Sequence, residues 1–254
     1  MSLLELSDVA VSFGGVHAVK GVTAGVEAGS VTALIGPNGA GKTTLMNMAS
    51  GVTRPDRGAI RFRGQDVTRW AAHRIARLGM ARTFQNIELF RDMTVRENVL
   101  AGRHARMSAG LLAAALRLPR HFADERDGRR FVSELLGRLG LDEVADEPAT
   151  SLPYGLERRA ELARALASEP ALLLLDEPMA GLSREESEEV GATIRALVGG
   201  GLTVLLVEHE METVMALSDR VLVLDHGTLL AEGAPGQIQS DEAVIAAYLG
   251  EEEL

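Results

Sequence analysis

The residues most suited to chemistry lie in one glycine-rich segment, GPNGAGKT, at residues 36–43. Gly39 and Gly41 are expected to supply unusual φ angles, so that backbone N–H groups can surround a phosphate at the start of a helix. Lys42 can then bridge the β- and γ-phosphates of a nucleotide, and the hydroxyl of Thr43 can ligate Mg²⁺. This spacing is that of the P-loop. It predicts a phosphate site formed by Asn38, Gly39, Ala40, Gly41, Lys42, Thr43 and Thr44.

A second segment, LLLLDE at residues 172–177, supplies carboxylates. A buried strand that ends at Asp176 can place this side chain opposite the P-loop, where it would hold Mg²⁺ through water. Glu177 can then lie against the attacking water as a general base. An apolar run followed by two acids is a weak signal on its own, because strands often end in acids. Its position downstream of a P-loop makes it indicative of nucleotide hydrolysis.

Strands and helices in alternation must position these segments, and the pattern predicts an α/β fold with a largely parallel sheet. Capping boxes at Thr94/Glu97 and Ser183/Glu186 predict two helix starts. From the first of these to about Gly140 the chain is mostly helical, with Pro119 as a break, and this stretch is interpreted as an insertion into the sheet domain. Apolar runs predict strands at residues 4–13, 31–35, 172–175, 203–207 and 221–224.

Composition bounds the class of protein. The 254 residues carry a net charge of −10, which argues against general nucleic-acid binding through phosphate neutralisation. The absence of cysteine excludes disulfides, thiolate metal sites and cysteine nucleophiles. No apolar run reaches the roughly 18–20 residues that span a bilayer, and the start does not resemble a signal peptide. We therefore expect a chain with no transmembrane segment of its own that stays in the cytosol.

Four further features follow in a fixed order. They are Gln85 after RTF, the segment SLPYGLERR from Ser151, the turn MAGLS that ends at Ser183, and His209 after Glu208. A GTPase normally has an Asn-Lys-x-Asp guanine reader, and neither lysine of this chain lies in such a context. Along nearly its whole length the chain resembles the ABC (ATP-binding cassette) ATPases. The resemblance implies one domain at residues 1–254, with a RecA-like P-loop NTPase core, an N-terminal antiparallel β part and a helical subdomain inserted at about residues 86–160.

The same resemblance implies the cofactors ATP and Mg²⁺ and assigns roles by position. Gln85 is similar to the Q-loop residue that touches Mg²⁺ and water, and His209 to the switch histidine that contacts the γ-phosphate. The alternative for His209 is a structural histidine. Phe13 resembles the aromatic residue that stacks on adenine, although a core role is its alternative. The implied catalytic residues are Lys42, Gln85, Glu177 and His209, and the implied metal-binding residues are Thr43, Gln85 and Asp176.

The signature segment departs from the usual Leu-Ser-Gly-Gly-Gln of the family. Pro153 removes a hydroxyl and an N–H group, although proline suits the first position of a helix, and Ser183 stands where the family usually has Asp. Tyr154 and Gly155 can still donate backbone N–H groups to the γ-phosphate of a partner cassette's ATP. We therefore expect an asymmetric pair with a different cassette, in which this chain cleaves its own ATP. A binding-only pseudo-ATPase is the alternative.

Three segments resemble more closely the ATP-binding subunits for uptake of branched-chain and other hydrophobic amino acids. They are ARTFQNIELFRDMTVREN at 81–98, EHEMETVM at 208–215 and VIAAYLG at 244–250. This implies a peripheral subunit on the cytoplasmic face of the inner (plasma) membrane. Its implied partners are two transmembrane permeases, a second non-identical cassette and an extracytoplasmic substrate-binding protein, with no nucleic acid. Alternatives are urea or amide importers, lipopolysaccharide exporters, and non-transport cassettes of DNA repair or translation.

Overall fold

The computed structural model describes residues 2–106 and 119–249. The strands are β1 (Ser2–Phe13), β2 (Val16–Glu27), β3 (Val31–Ile35), β4 (Arg57–Phe62), β5 (Gln65–Asp66), β6 (Met80–Arg82), β7 (Leu172–Asp176), β8 (Thr203–Val207), β9 (Arg220–Asp225) and β10 (Thr228–Gly233). The helices are α1 (Lys42–Ala49), α2 (Ala72–Leu78), α3 (Val95–Gly102), α4 (Pro119–Arg138), α5 (Tyr154–Leu166), α6 (Arg184–Gly199), α7 (Met211–Leu217), α8 (Pro235–Gln239) and α9 (Glu242–Leu249). Short 3₁₀ turns lie at Arg103–Arg106 and Ala149–Ser151.

The larger sheet has the strand order β10-β9-β3-β8-β7-β6, and only the β9–β10 pair is antiparallel. Every residue of β3, β7 and β8 is buried, as expected for strands covered on both faces. Leu172 and Leu174 pack on one face of this sheet, and Leu173 and Leu175 on the other. The predicted α/β class with a mostly parallel sheet is confirmed.

The smaller sheet is antiparallel, in the order β2-β1-β4-β5. Leu4, Leu6, Val9 and Val11 of β1 are buried against α1 and one face of the larger sheet, whereas Phe13 at the end of β1 is 52% exposed. This confirms the predicted early strand and the antiparallel part. It also means that Phe13 does not belong to the core.

Both predicted capping boxes are present. The Thr94 side chain accepts from the N–H of Glu97 at the start of α3, and Ser183 does the same for Glu186 at the start of α6. Pro119 is the first residue of α4, where a missing N–H is tolerated. Part of the predicted helical stretch, residues 107–118, lies outside the described residues.

Helices α3, α4, α5 and α6 share one core with Leu173 and Leu175 on the second face of the larger sheet. Among residues 2–106 and 119–249, no helix has the length and apolar character that crossing a membrane requires.

Candidate active site

The glycine-rich segment connects the end of β3 to the start of α1. Gly39 has φ 78° and Gly41 has φ 103°, which confirms the predicted unusual φ angles. A Cβ on Gly41 would lie 2.5 Å from the carbonyl oxygen of Ala18 in β2. Only glycine therefore lets the loop bend this close to the smaller sheet. Asn38, Gly39 and Thr43 are exposed around the bend, while Ala40 is buried and Thr44 is half-buried.

The Lys42 ammonium lies inside the curve of this loop. Its Nζ donates to the carbonyl oxygens of Gly36 at 2.6 Å and Pro37 at 2.9 Å, and the side chain is buried. A lysine held at the start of a helix, among backbone groups curled around it, provides a compact positive site for phosphate oxygens.

Asp176 ends β7 and is held by an arginine that sequence reasoning did not select. Its Oδ2 accepts from Nη2 of Arg82 at 3.1 Å, and both side chains are 7% exposed. The Nη1 atom of Arg82 also donates to Asn47 in α1 at 2.6 Å and to the Ser50 hydroxyl at 3.2 Å. Arg82 thereby ties the carboxylate predicted to bind Mg²⁺ to the helix that begins at Lys42. The sequence signal for this role was that Arg82 ends a short strand that pairs with a buried strand.

Glu177 lies between two side chains that sequence reasoning drew from separate motifs. Its Oε1 is 2.6 Å from Nε2 of His209, and its Oε2 accepts from Nε2 of Gln85 at 3.1 Å. Its N–H donates to the carbonyl oxygen of Val207 in β8 at 2.9 Å. Because β6, β7 and β8 are parallel, their carboxyl ends meet at one edge of the sheet and bring these three residues together.

The backbone at Glu177 is in the left-handed region, with φ 50°. A non-glycine residue in this conformation costs on the order of 1–3 kcal/mol, and such residues cluster at active sites. The turn directs the carboxylate between Gln85 and His209. The local strain is thus located at the residue whose carboxylate contacts both Gln85 and His209.

Glu208 lies behind this site and is buried at the end of β8. Burial raises the pKa of its carboxyl, hydrogen bonds from the N–H groups of Met179 and His209 lower it in part, and the Glu177 carboxylate raises it further. Its oxygens accept from Met179 at 3.0 Å and His209 at 3.3 Å. Glu208 therefore fixes the backbone of His209 relative to the turn that follows Glu177.

The signature segment forms the start of α5, which begins at Tyr154. Pro153 is the residue before the helix and not its first residue, because its ψ of 151° is extended. The Tyr154 hydroxyl donates to the carbonyl oxygen of Ala180 at 3.0 Å, and its side chain is 43% exposed. Gly155 is buried beside the Glu186 carboxylate. The segment is thus connected to the turn that ends at Ser183.

Phe13 lies at the end of β1, opposite Val16 in the hairpin. The second strand of that hairpin is the one whose Ala18 carbonyl approaches Gly41. The exposed ring is therefore carried by a hairpin that adjoins the phosphate loop, and its stacking on adenine stays a prediction.

The residues present fit a nucleotide with Mg²⁺. Mg²⁺ commonly uses one or two carboxylates together with substrate phosphates and water. Thr43 and Gln85 are exposed residues with side-chain oxygen atoms, and Asp176 supplies a carboxylate at the end of β7. Among residues 2–106 and 119–249, no group of three or more histidine, aspartate or glutamate side chains could hold a metal by itself. These oxygen donors suit a metal ion that binds together with the phosphates of a nucleotide.

Comparison with known proteins yields consistent matches. A family model described as ABC transporter matches residues 19–180, and one described as branched-chain amino acid ATP-binding cassette transporter matches residues 228–253. The high-affinity branched-chain amino acid transport ATP-binding protein BraF of Pseudomonas aeruginosa is 42% identical over 98% of both chains. The corresponding protein LivG of Escherichia coli is 41% identical over the same shares.

Solved structures agree with these matches. An ATP-binding cassette of an ABC transporter in its ADP conformation superposes with a TM-score of 0.86 at 30% identity, covering 98% of this chain and 99% of that chain. A nucleotide-free ATP-binding cassette from an ABC transporter gives a TM-score of 0.85 at 29% identity and the same coverage.

Proposed function

Since the chain belongs to the ABC transporter family of ATP-binding cassettes, we propose that it is the ATP-binding and ATP-hydrolysing subunit of an importer for branched-chain or other hydrophobic amino acids. The observation that supports ATP hydrolysis most directly is that Gln85, Glu177 and His209 lie together at the sheet edge that also holds the P-loop. The names of BraF and LivG favour this substrate class over urea uptake or lipopolysaccharide export.

In the proposed mechanism, the N–H groups of the P-loop and the Lys42 ammonium bind the β- and γ-phosphates of ATP. Thr43, Gln85 and Asp176 would hold Mg²⁺, whose charge would offset the charge that develops on the transferred phosphoryl group. Glu177 accepts a proton from the attacking water as the water oxygen bonds to the γ-phosphorus, while the bond from that phosphorus to the departing ADP oxygen breaks. His209 orients Glu177 and contacts the γ-phosphate.

We propose that residues 1–254 work as one ATPase domain, with a helical part inserted at about residues 86–160. Helices α3 and α4 lie inside this range, whereas α5 continues to Leu166, so a boundary at 160 would fall inside a helix. The subunit would bind peripherally to two permeases on the cytoplasmic face of the membrane, with a substrate-binding protein on the opposite side.

A groove beside Gln85 supports the permease contact. It has a volume of about 390 Å³ and separates α2 and β6 from α3 and α5. Val52, Phe84 and Phe90 line it with exposed apolar side chains. An exposed apolar groove next to a catalytic loop suits a partner that must respond to ATP.

We propose that the second cassette differs from this chain. Pro153, Tyr154 and Ser183 depart from the family pattern and are exposed, whereas Lys42, Asp176, Glu177 and His209 follow it. An exposed variant signature would serve the partner's ATP less well than a standard one. A purified homodimer that hydrolyses ATP at full rate in two equivalent sites would overturn this pairing.

The function is tested by affinity purification of the chain from detergent-solubilised native membranes, with partners identified by mass spectrometry. We expect two permeases, a second cassette and an amino-acid-binding protein. Recovery of lipid-export proteins or of nucleic-acid factors alone would reject the transport assignment.

The same complex tests hydrolysis through Glu177→Gln. We expect this variant to bind ATP and lose turnover, whereas the matched change Glu185→Gln, at an exposed position in α6, preserves it. Unchanged turnover in Glu177→Gln would favour the pseudo-ATPase alternative.

A further inference from the structure

One face of α5 carries a charged stripe with its residues three apart, namely Arg158, Glu161 and Arg164. Arg158 and Glu161 form an ion pair at 3.1 Å, and their side chains are only 4% and 2% exposed. The stripe faces the connection between β6 and α3, which contains Gln85. Arg164 contacts the same connection through a hydrogen bond to the carbonyl oxygen of Glu88.

Arg158 binds the main chain on both sides of the proposed catalytic contact. Its Nη1 donates to the carbonyl oxygen of Phe84 at 3.1 Å, and its Nη2 to that of Gln85 at 2.7 Å. Nη2 also reaches the carbonyl oxygen of Glu177 at 3.5 Å. The side chains of Gln85 and Glu177 then meet at 3.1 Å. One guanidinium therefore connects the two backbones whose side chains must stay in register.

Stability alone does not account for this pair. Removing two charges from water is costly, and apolar replacements of buried ion pairs are often neutral or stabilising. Burial also raises the pKa of Glu161, while Arg158 and the Phe84 backbone lower it in part. The distinctive contribution of the pair is directional, because a planar guanidinium fixes the carbonyls that it binds.

We propose that Arg158, oriented by Glu161, is a positioning residue that ties Gln85 and Glu177 to α5. A displacement of α5 then moves both residues together. Phe84, whose carbonyl is bound by Arg158, also lines the groove assigned to the permease, so the pair connects that groove to the hydrolysis site. This inference rests on the proposed function.

The first test measures hydrogen–deuterium exchange in the full chain. The double variant Arg158→Met/Glu161→Leu removes both charges of the buried pair together, so that neither of the two stays buried without the other. We expect faster exchange at residues 83–90 and at 176–178, with unchanged exchange at residues 36–46. The matched control is Arg159→Met/Glu189→Leu, which removes the neighbouring pair between α5 and α6. Unchanged exchange at residues 83–90 in the first variant would overturn the proposal.

The second test measures hydrolysis in the complex purified with its membrane partners. We expect the kcat of the Arg158→Met/Glu161→Leu complex to fall roughly tenfold to a hundredfold, as for a small misplacement of a catalytic group, with the Kd for ATP within about twofold of wild type. Arg158→Lys keeps the charge but loses the planar fork, and we expect it to restore kcat only in part. Equal losses of kcat and ATP binding would reject a positioning role.

The outcomes separate this inference from the proposed function. A wild-type complex without ATPase activity would reject the proposed function. The exchange measurement would still test whether Arg158 positions Gln85 and Glu177. A fully active Arg158→Met/Glu161→Leu complex would reject the positioning role of Arg158 without contradicting the proposed ATPase function. If this double variant fails to fold, Arg158→Lys provides both measurements.

Discussion

Nε2 of His209 lies 2.6 Å from Oε1 of Glu177, and this contact joins the ends of two adjacent parallel strands. The two residues belong to motifs 32 positions apart in the chain. Their contact places a group that can carry a proton beside the carboxylate assigned to the attacking water.

His209→Ala removes one of the two side-chain partners of Glu177 and the assigned contact to the γ-phosphate. We expect ATPase turnover to fall by on the order of 10²–10³-fold, in the range found when one acid–base or oxyanion-stabilising group is deleted. ATP binding should persist because the P-loop is untouched. The control is His73→Ala, at an exposed position in α2, which should retain wild-type turnover. Turnover within twofold of wild type in His209→Ala would contradict the assigned role.

Arg82→Met leaves the Asp176 carboxylate buried without its partner. Breaking a buried ion pair costs roughly 3–5 kcal/mol of unfolding free energy. We also expect the Mg²⁺ concentration for half-maximal ATP binding to rise, because Asp176 loses its link to α1. Fluorescent ATP analogues titrated with Mg²⁺ provide the measurement. Arg96→Met, which removes the pair between half-buried Arg96 and exposed Asp146, should cost about 1 kcal/mol or less. Equal costs for the two variants would refute the prediction.

Gly41→Ala introduces a Cβ 2.5 Å from the Ala18 carbonyl oxygen at a φ of 103°. The strained φ alone costs on the order of 1–3 kcal/mol. The loop must move to relieve the clash, so ATP binding should weaken by at least tenfold in calorimetry. Gly199→Ala is the matched control, since its Cβ meets nothing within 4 Å and alanine favours the helix. Wild-type ATP affinity in Gly41→Ala would show that the loop does not need this shape.

Glu208 predicts a pH dependence of stability, because its pKa is raised by burial. A carboxyl with a raised folded-state pKa binds its proton more tightly in the folded chain. Its contribution to the unfolding free energy is therefore fully present below the ordinary glutamate pKa of about 4.3 and is lost as pH rises through the folded-state value.

Glu208→Gln isolates this contribution, since the other carboxyl groups are common to both proteins. The unfolding free energy of wild type, measured relative to that of Glu208→Gln, should fall as pH rises from about 4.3 toward neutrality. Denaturant unfolding of both proteins at several pH values provides the measurement. A difference that is constant across this range, or that grows with pH, would contradict the raised pKa.

The main strands and helix starts could be predicted because their signals are local. Apolar runs specified β3, β7 and β8, and the Thr94 and Ser183 capping boxes specified two helix starts. Motif order, through the family resemblance, assigned Gln85, Glu177 and His209 to one ATP site without predicting their contacts with one another. The strand and helix signals, by contrast, each lie within a few consecutive residues. Local patterns of this kind need no knowledge of distant contacts.

The roles of Arg82 and Arg158 were not predicted, for a physical reason. Each arginine acts through partners far along the chain, such as Asp176 for Arg82 and Gln85 for Arg158. The sequence shows only an arginine after a short strand and another in an amphipathic helix. Such residues are usually exposed, so their burial becomes evident only once the strands and α5 pack together.

The contacts of Lys42 have a further consequence for chemical labelling. The sequence contains lysine only at positions 20 and 42. Lys20 is exposed on β2, whereas the amine of Lys42 is buried against two carbonyl oxygens of its own loop. An amine-reactive reagent should therefore modify Lys20 rapidly and Lys42 slowly. The ratio of the labelled Lys42 peptide to the labelled Lys20 peptide would report how often the phosphate loop opens. Lys20 serves as the reference amine because it belongs to the same chain.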